Sequence, residues 1–203
     1  MKRAFLALAL GLFGACSSAK GTPSPQATAP AMTNPDLDLS WSLGKTPDGK
    51  RLRIEYRLKN KTTQKLYIAD QLLAYHEGKI KRVPTRMIVS SDRLPGTVLF
   101  SRAVVETPTT QFDHPPGATA LEPGATHAGS ADVDLPLRGW HNYTTPPALP
   151  DTPKSAVLEV AYLTGAIEWG AVTTSEGENV TVPQLPSYYK AAKLARFDVR
   201  PLP

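Results

Sequence analysis

Residues 51–59 read RLRIEYRLK. Leu52, Ile54, Tyr56 and Leu58 fall on one side of an extended chain, and Arg53, Glu55 and Arg57 fall on the other. Alternation with a period of two, carried by β-branched and aromatic residues, predicts a strand with one buried and one solvated face. Just upstream, Thr46-Pro47-Asp48-Gly49 is a turn: proline presets one dihedral and glycine accepts positive φ. Before that turn, Leu37 to Leu43 (LDLSWSL) alternates as well, so the two stretches can pair as a hairpin.

Downstream the same grammar repeats. Asn60 to Thr63 is the next turn, and Leu66 to Tyr75 (LYIADQLLAY) is a predicted strand with room for a bulge. Further strands are predicted at Arg86–Val89, Thr97–Val105, Ala128–Leu135, Ala156–Leu163 and Leu194–Arg200, with a short helical turn at Ser187–Lys193. The whole chain has 20 prolines and 14 glycines, and no long segment has apolar residues at helical spacing. Seven or more short strands between dense turn signals predict a mainly β fold: an antiparallel sandwich with long loops and little helix.

The segment Leu121-Glu122-Pro123-Gly124, followed by alternation ending in Leu135-Pro136-Leu137, resembles segments of bacterial immunoglobulin-like extracellular domains. The opening strand running into Asn60 does too. The resemblance implies an immunoglobulin-like sandwich and no particular activity. With Cys16 as the only cysteine, an antibody-type inter-sheet disulfide is excluded.

The N-terminus carries a different signal. Met1-Lys2-Arg3 is basic, Ala4 to Ala15 (AFLALALGLFGA) is uncharged and apolar, and Cys16 follows at once. Those are the parts of a secretory signal. The apolar run falls short of the about 20 residues a membrane helix needs. Phe13-Gly14-Ala15-Cys16 resembles the lipobox of bacterial lipoproteins, with Phe13 in place of the usual leucine and Leu12 one position early. The resemblance implies that residues 1–15 are removed and that Cys16 is lipidated, palmitate included, and becomes the mature N-terminus. Because Ser17 follows and not aspartate, it also implies an outer-membrane address in a Gram-negative host.

Residues 16–35 then form the lipidated cysteine and a tether. Ser17 to Pro35 (SSAKGTPSPQATAPAMTNP) is small, polar and proline-rich, too poor in apolar surface to offset the entropy of ordering. Its prolines make it a semi-rigid spacer. Residues 36–203 are long enough for one β-sandwich domain with a real core.

The formal charge of +5 becomes +3 once Lys2 and Arg3 leave with the signal. Its distribution is uneven. Lys45 to Arg102 holds 14 basic and 5 acidic side chains, whereas Ala103 to Pro203 holds 6 and 11. Arg53, Arg57 and Lys59 sit on and beside the first strong strand, where they can face an anionic polymer or an acidic envelope protein, or simply form a solvated sheet face. An envelope location and a small net charge argue against nucleic acid as a partner.

No catalytic constellation is visible. There is no GxSxG elbow, no HExxH and no phosphate-cradling glycine loop, so no catalytic residue and no cofactor is assigned. Metal binding is a minor alternative: His114, His127 and His141 could converge with Asp113 or Asp132. Asn60, Asn142 and Asn179 open glycosylation sequons, which threonine-rich composition explains better than sugar does. The long loop Arg138 to Lys154 holds Trp140, His141 and Tyr143, which could stack on sugars, anchor a protein or cap the core. The sequence therefore predicts a membrane-anchored, non-enzymatic envelope module with binding candidates at Arg53, Arg57, Lys59, Trp140, His141 and Tyr143. The rival is an enzyme acting on cell-wall or extracellular substrate from the 138–154 loop.

Overall fold

A computed structural model describes residues 33–77, 79–103, 115–141 and 147–203, the side chains of Tyr75 and His76 excepted. Cys16 with the signal segment, residues 17–32 of the tether, Asp113, His114, Asn142 and Tyr143 lie outside the described residues. In chain order the strands are β1 (Leu37–Lys45), β2 (Arg51–Asn60), β3 (Leu66–Gln71), β4 (Leu73–His76), β5 (Lys79–Arg82), β6 (Ile88–Ser91), β7 (Thr97–Ser101), β8 (Gly117–Leu121), β9 (Thr126–Asp134), β10 (Ser155–Leu163), β11 (Trp169–Thr173) and β12 (Asn179–Pro183), then β13 (Ala192–Arg196) and β14 (Arg200–Pro201). One helix, α1 (Leu185–Ala191), precedes β13.

The stretch 51–59 becomes β2, the middle of a three-stranded antiparallel sheet, β1-β2-β9. Its alternation is realised without a break: Leu52, Ile54, Tyr56 and Leu58 are buried and Arg51, Arg53, Glu55, Arg57 and Lys59 are exposed. The hairpin with β1 forms across all nine residues, from Leu37 opposite Asn60 to Lys45 opposite Leu52. Gly49, at φ 67°, supplies the left-handed conformation its turn requires.

The second sheet is built around β10, in which every residue after Ser155 is buried. On one flank β13 and then β14 run along it. On the other, β7 covers its first half and β3 its second, with β6 beyond β7 and β8 beyond β3. One detail departs from an all-antiparallel sandwich: β7 and β10 run parallel. A parallel neighbour needs a long crossover, and here the chain from 102 to 154 passes through both sheets before returning.

The two sheets face each other over one apolar core. Leu52, Ile54, Tyr56 and Leu58 of β2 meet Phe100, Leu158, Val160 and Phe197 from the second sheet. Phe197 stands edge-on to both Trp41 and Tyr56, at ring separations of 6.5 and 6.2 Å. On the outer side of the second sheet the side chains shrink to Ala69, Ala103 and Ala161, and Tyr188 of α1 packs into the space. Trp169, the first residue of β11, packs against Tyr67 at 4.7 Å.

The predicted strand 66–75 divides into β3 and β4. Leu72 N–H bonds to the carbonyl of Asp70, and the register shifts between Ile68 and Gln71, so the chain turns out of the sheet there. The helix starts two residues earlier than expected because Pro186 stands in its first turn, where a missing N–H costs nothing. It ends where Ala192 enters β13. Strands β5, β8, β11 and β12 are additions to the sequence reading; β11 and β12 form a hairpin whose Val172, Val180 and Val182 pack on Leu73.

Gly129, opposite Tyr56 in the β2–β9 ladder, is fixed by packing and not by backbone angle. A Cβ there would lie 2.2 Å from the Tyr56 ring and hydroxyl. Gly129→Ala should therefore displace the ring and lower stability by about 1–3 kcal/mol, the usual cost of forcing a methyl into a packed core. Chemical denaturation read by tyrosine and tryptophan fluorescence measures it.

Candidate functional site

Strand β3 points Leu66, Ile68 and Asp70 toward the first sheet. The third of these is a carboxylate in a core position, with its side chain 5% exposed. A charge so placed must be partnered. Tyr56 of β2 donates its hydroxyl to Asp70 Oδ2 at 2.5 Å. His127 of β9 places Nε2 2.8 Å from the same oxygen. Arg102, just past β7 and itself buried, gives one nitrogen to the main-chain carbonyl of Asp70 at 3.1 Å. Another of its nitrogens reaches the carbonyls of Ser130 (2.6 Å) and Pro84. Its guanidinium also lies 5.9 Å from the centre of the Tyr56 ring.

These four side chains come from both sheets, so the cluster is a polar clasp inside the sandwich. Burial alone would push the Asp70 carboxyl up. The hydrogen bond and charge of His127, then the Tyr56 hydroxyl and the Arg102 charge, outweigh it and hold the carboxyl below its ordinary value. Tyr56 moves the other way: burial first, and then the Asp70 charge, raise its hydroxyl well above the usual phenol.

His127 borders an open cleft of about 290 Å³ whose other walls include Gln71, Arg82, Thr85, Thr119 and Ser130. Chemically the arrangement anchors the ring more than it presents it, because Nε2, the nitrogen farther from the backbone, is committed to Asp70. Arg82 and Arg102 each keep a buried Nε with no acceptor among the described residues.

The residues singled out in the sequence do not assemble into one site. Arg53 makes two hydrogen bonds to Asp132, at 2.9 and 3.0 Å, and Arg51 lies 3.4 Å from the same carboxylate. Asp132 is thus occupied by arginines, and among the described residues no group of three potential metal ligands forms. Arg57 and Lys59 stand on the outer face of the first sheet and make no ion pair among the described residues. Arg57 lies between Ser40 and Ala128, and Lys59 between Asp38 and Thr126. The small neighbours Ser40, Ser42, Ala128 and Ser130 leave a trough of about 480 Å³ around Glu55 and Arg57.

Trp140 belongs to the other end of β9. Its backbone is bridged to Val89 by bonds of 2.9 and 3.0 Å. Its ring packs on the core, with Arg86 5.9 Å away on one side. The adjoining cleft, about 360 Å³, is lined by Arg86, Asp132, Asp134 and Arg138. His141 is half-buried, and burial lowers its pKa. Tyr143 lies outside the described residues. The histidine held against a carboxylate is His127, and its cleft is separate from that of Trp140.

Sequence reasoning missed Asp70, Tyr56 and Arg102 as a unit. One signal was present: in Leu66-Tyr67-Ile68-Ala69-Asp70 the alternation assigns an aspartate to the buried face. Compared with known proteins, the chain matches no family model, no curated protein and no solved structure.

The lowered Asp70 carboxyl sets a pH dependence. Its stabilising effect is fully present above the unfolded value of 3.8 and is lost as pH falls through the lower folded value. Asp70→Asn should flatten that acid limb of a stability-versus-pH curve. His127→Ala leaves the buried carboxylate short of a partner and should cost about 3–5 kcal/mol at neutral pH. Urea unfolding across a pH series tests both.

Proposed function

We propose that the chain is a lipid-anchored envelope protein, held to the membrane through Cys16, whose β-sandwich is a non-enzymatic binding module. The observation that carries the reading is the N-terminal run from Met1 to Cys16: basic start, short apolar stretch, sole cysteine. One acyl chain binds a membrane only marginally, at about 0.8 kcal/mol per buried methylene, and the two or three chains implied by the lipobox likeness make the anchor lasting. No described helix is long and apolar enough to cross a membrane. In a Gram-negative host the address is the outer membrane.

The place where the tether reaches the sandwich suits an anchored module. Asn34 Oδ1 accepts the N–H groups of Asp36 and Leu37 at 2.9 and 3.0 Å. Asp36 in turn accepts from Tyr162 and Lys193, both at 2.9 Å. The chain is tied down within a few residues of entering the fold.

The binding face is the outer side of the first sheet, where Arg57 rises between Ser40 and Ala128 and Lys59 stands beside Asp38 and Thr126. An anionic polymer or an acidic envelope protein fits that charge.

Two experiments test the reading. Cells fed labelled palmitate should label the protein, and Cys16→Ser should abolish the label and release the chain from the membrane fraction; a Cys16→Ser chain that stays membrane-bound contradicts the anchor. Replacing Arg57 and Lys59 together with glutamate should weaken retention on an anionic polysaccharide column by roughly tenfold at low salt, with little change in melting temperature. Equal retention of the two proteins would remove this face from consideration.

A further inference from the structure

The edges of the two sheets are treated differently. On β9, Ser130 O accepts from Arg102 and Asp132 N–H bonds to Thr85 O, so part of the edge is capped. Strand β6 is closed by the Val89–Trp140 bridge. Strand β13 is five residues long and carries Lys193 and Arg196. Short, charged or covered edges resist pairing with another chain. Strand β1 is nine residues long, has no proline, and pairs only with β2 among the described residues.

The phase of the β1–β2 ladder says which backbone groups are left over. Lys61 N–H bonds to Asp36 O, and Thr46 N–H bonds to Arg51 O, both at 2.9 Å. Even-numbered residues of β1 therefore exchange bonds with β2, and the backbone groups of Leu39, Trp41 and Leu43 point to the open edge. The side chains of Leu39 and Leu43 are only partly buried, on either side of the buried Trp41.

The sequence of this edge is a palindrome: Leu39-Ser40-Trp41-Ser42-Leu43 reads the same in both directions. A two-fold axis through Trp41 pairs an antiparallel strand with itself, setting Leu39 against Leu43 of the second copy, Ser40 against its Ser42, and Trp41 against Trp41. The half-exposed leucines then cover each other twice. The flanks are complementary as well. Asp36 and Asp38 stand just before and within the start of β1, and Lys45 and Lys50 at and beyond its far end, so antiparallel pairing brings the acidic end of each copy near the basic end of the other. Asp38 already has Lys61 at 3.4 Å but remains largely exposed and can serve a second cation.

We infer that β1 is a self-association edge, through which two copies of this chain join their first sheets into one six-stranded antiparallel sheet centred on Trp41. The inference is independent of the binding role proposed above.

Light scattering on the full chain purified in detergent should give twice the protomer mass, falling to one protomer on dilution. Leu39→Pro removes an N–H that makes no bond to β2, so it should give a protomer-sized particle with the β circular-dichroism spectrum retained. The pairing sets Asp38 opposite Gly44 of the second copy, where a Cβ meets nothing within 4 Å. Gly44→Asp should raise the dissociation constant roughly tenfold at low salt, and adding Asp38→Lys should restore it. A protomer mass at every concentration overturns the inference, and so does a dimer whose mass is unchanged by Leu39→Pro. Should Leu39→Pro lose its β spectrum, the charge changes decide: no weakening, or no restoration in the double variant, overturns it.

Discussion

A single carboxylate, that of Asp70, joins the two sheets by something more specific than apolar contact. Hydrophobic packing between sheets is non-directional and tolerates sliding. Two bonds to Asp70 Oδ2, from Tyr56 and His127, do not. They fix where β3 lies over β2 and β9. Arg102 adds main-chain contacts on either side of the same point, so the loop at Pro84 and the edge at Ser130 are held to the same frame. The cost is a buried charge, offset only while all partners stay in place. Gly129 belongs to this constraint, since its missing side chain is the space the Tyr56 ring occupies.

The long strands were legible from sequence: β1, β2 and β9 by their alternation, and β10 as an apolar run bounded by turn signals. The short strands were not. β5, β11 and β12 have four or five residues each, few enough that pattern cannot separate them from loop, and the valines of the β11–β12 hairpin find their packing on Leu73, a neighbour remote in sequence. The break in the stretch 66–75 was hidden for another reason. Leu72 and Leu73 continue the apolar run, and only the backbone turn at Asp70–Leu72 divides it.

The candidate site was legible in parts and not as a whole. Arg57 and Lys59 lie on the solvated face that alternation assigns to them. Arg53 lies there too, but Asp132, 79 residues away in sequence, takes it up, and no local pattern announces that pairing. Asp70 could have been singled out as an acid in an apolar register. Its partners could not, because Tyr56, Arg102 and His127 meet it only through sheet stacking. Trp140 reads in sequence as a loop aromatic that could bind a partner or cap the core; its bridge to Val89 and its packing place it on the core.

The knot at Asn34 and Asp36 has a mechanical meaning. A pull on the chain ahead of Asn34 enters the sandwich at the first residue of β1. Lys61 Nζ, bonded to the carbonyl of Asn34 at 2.8 Å, and the contacts of Asp36 with Tyr162 and Lys193 take the load first. If they yield and the far end of the sheet is held, the force acts along β1. Its bonds to β2 are then sheared together and not opened one at a time. A chain that enters a sheet lengthwise resists tugging better than one that meets it at right angles, and this chain enters β1 lengthwise.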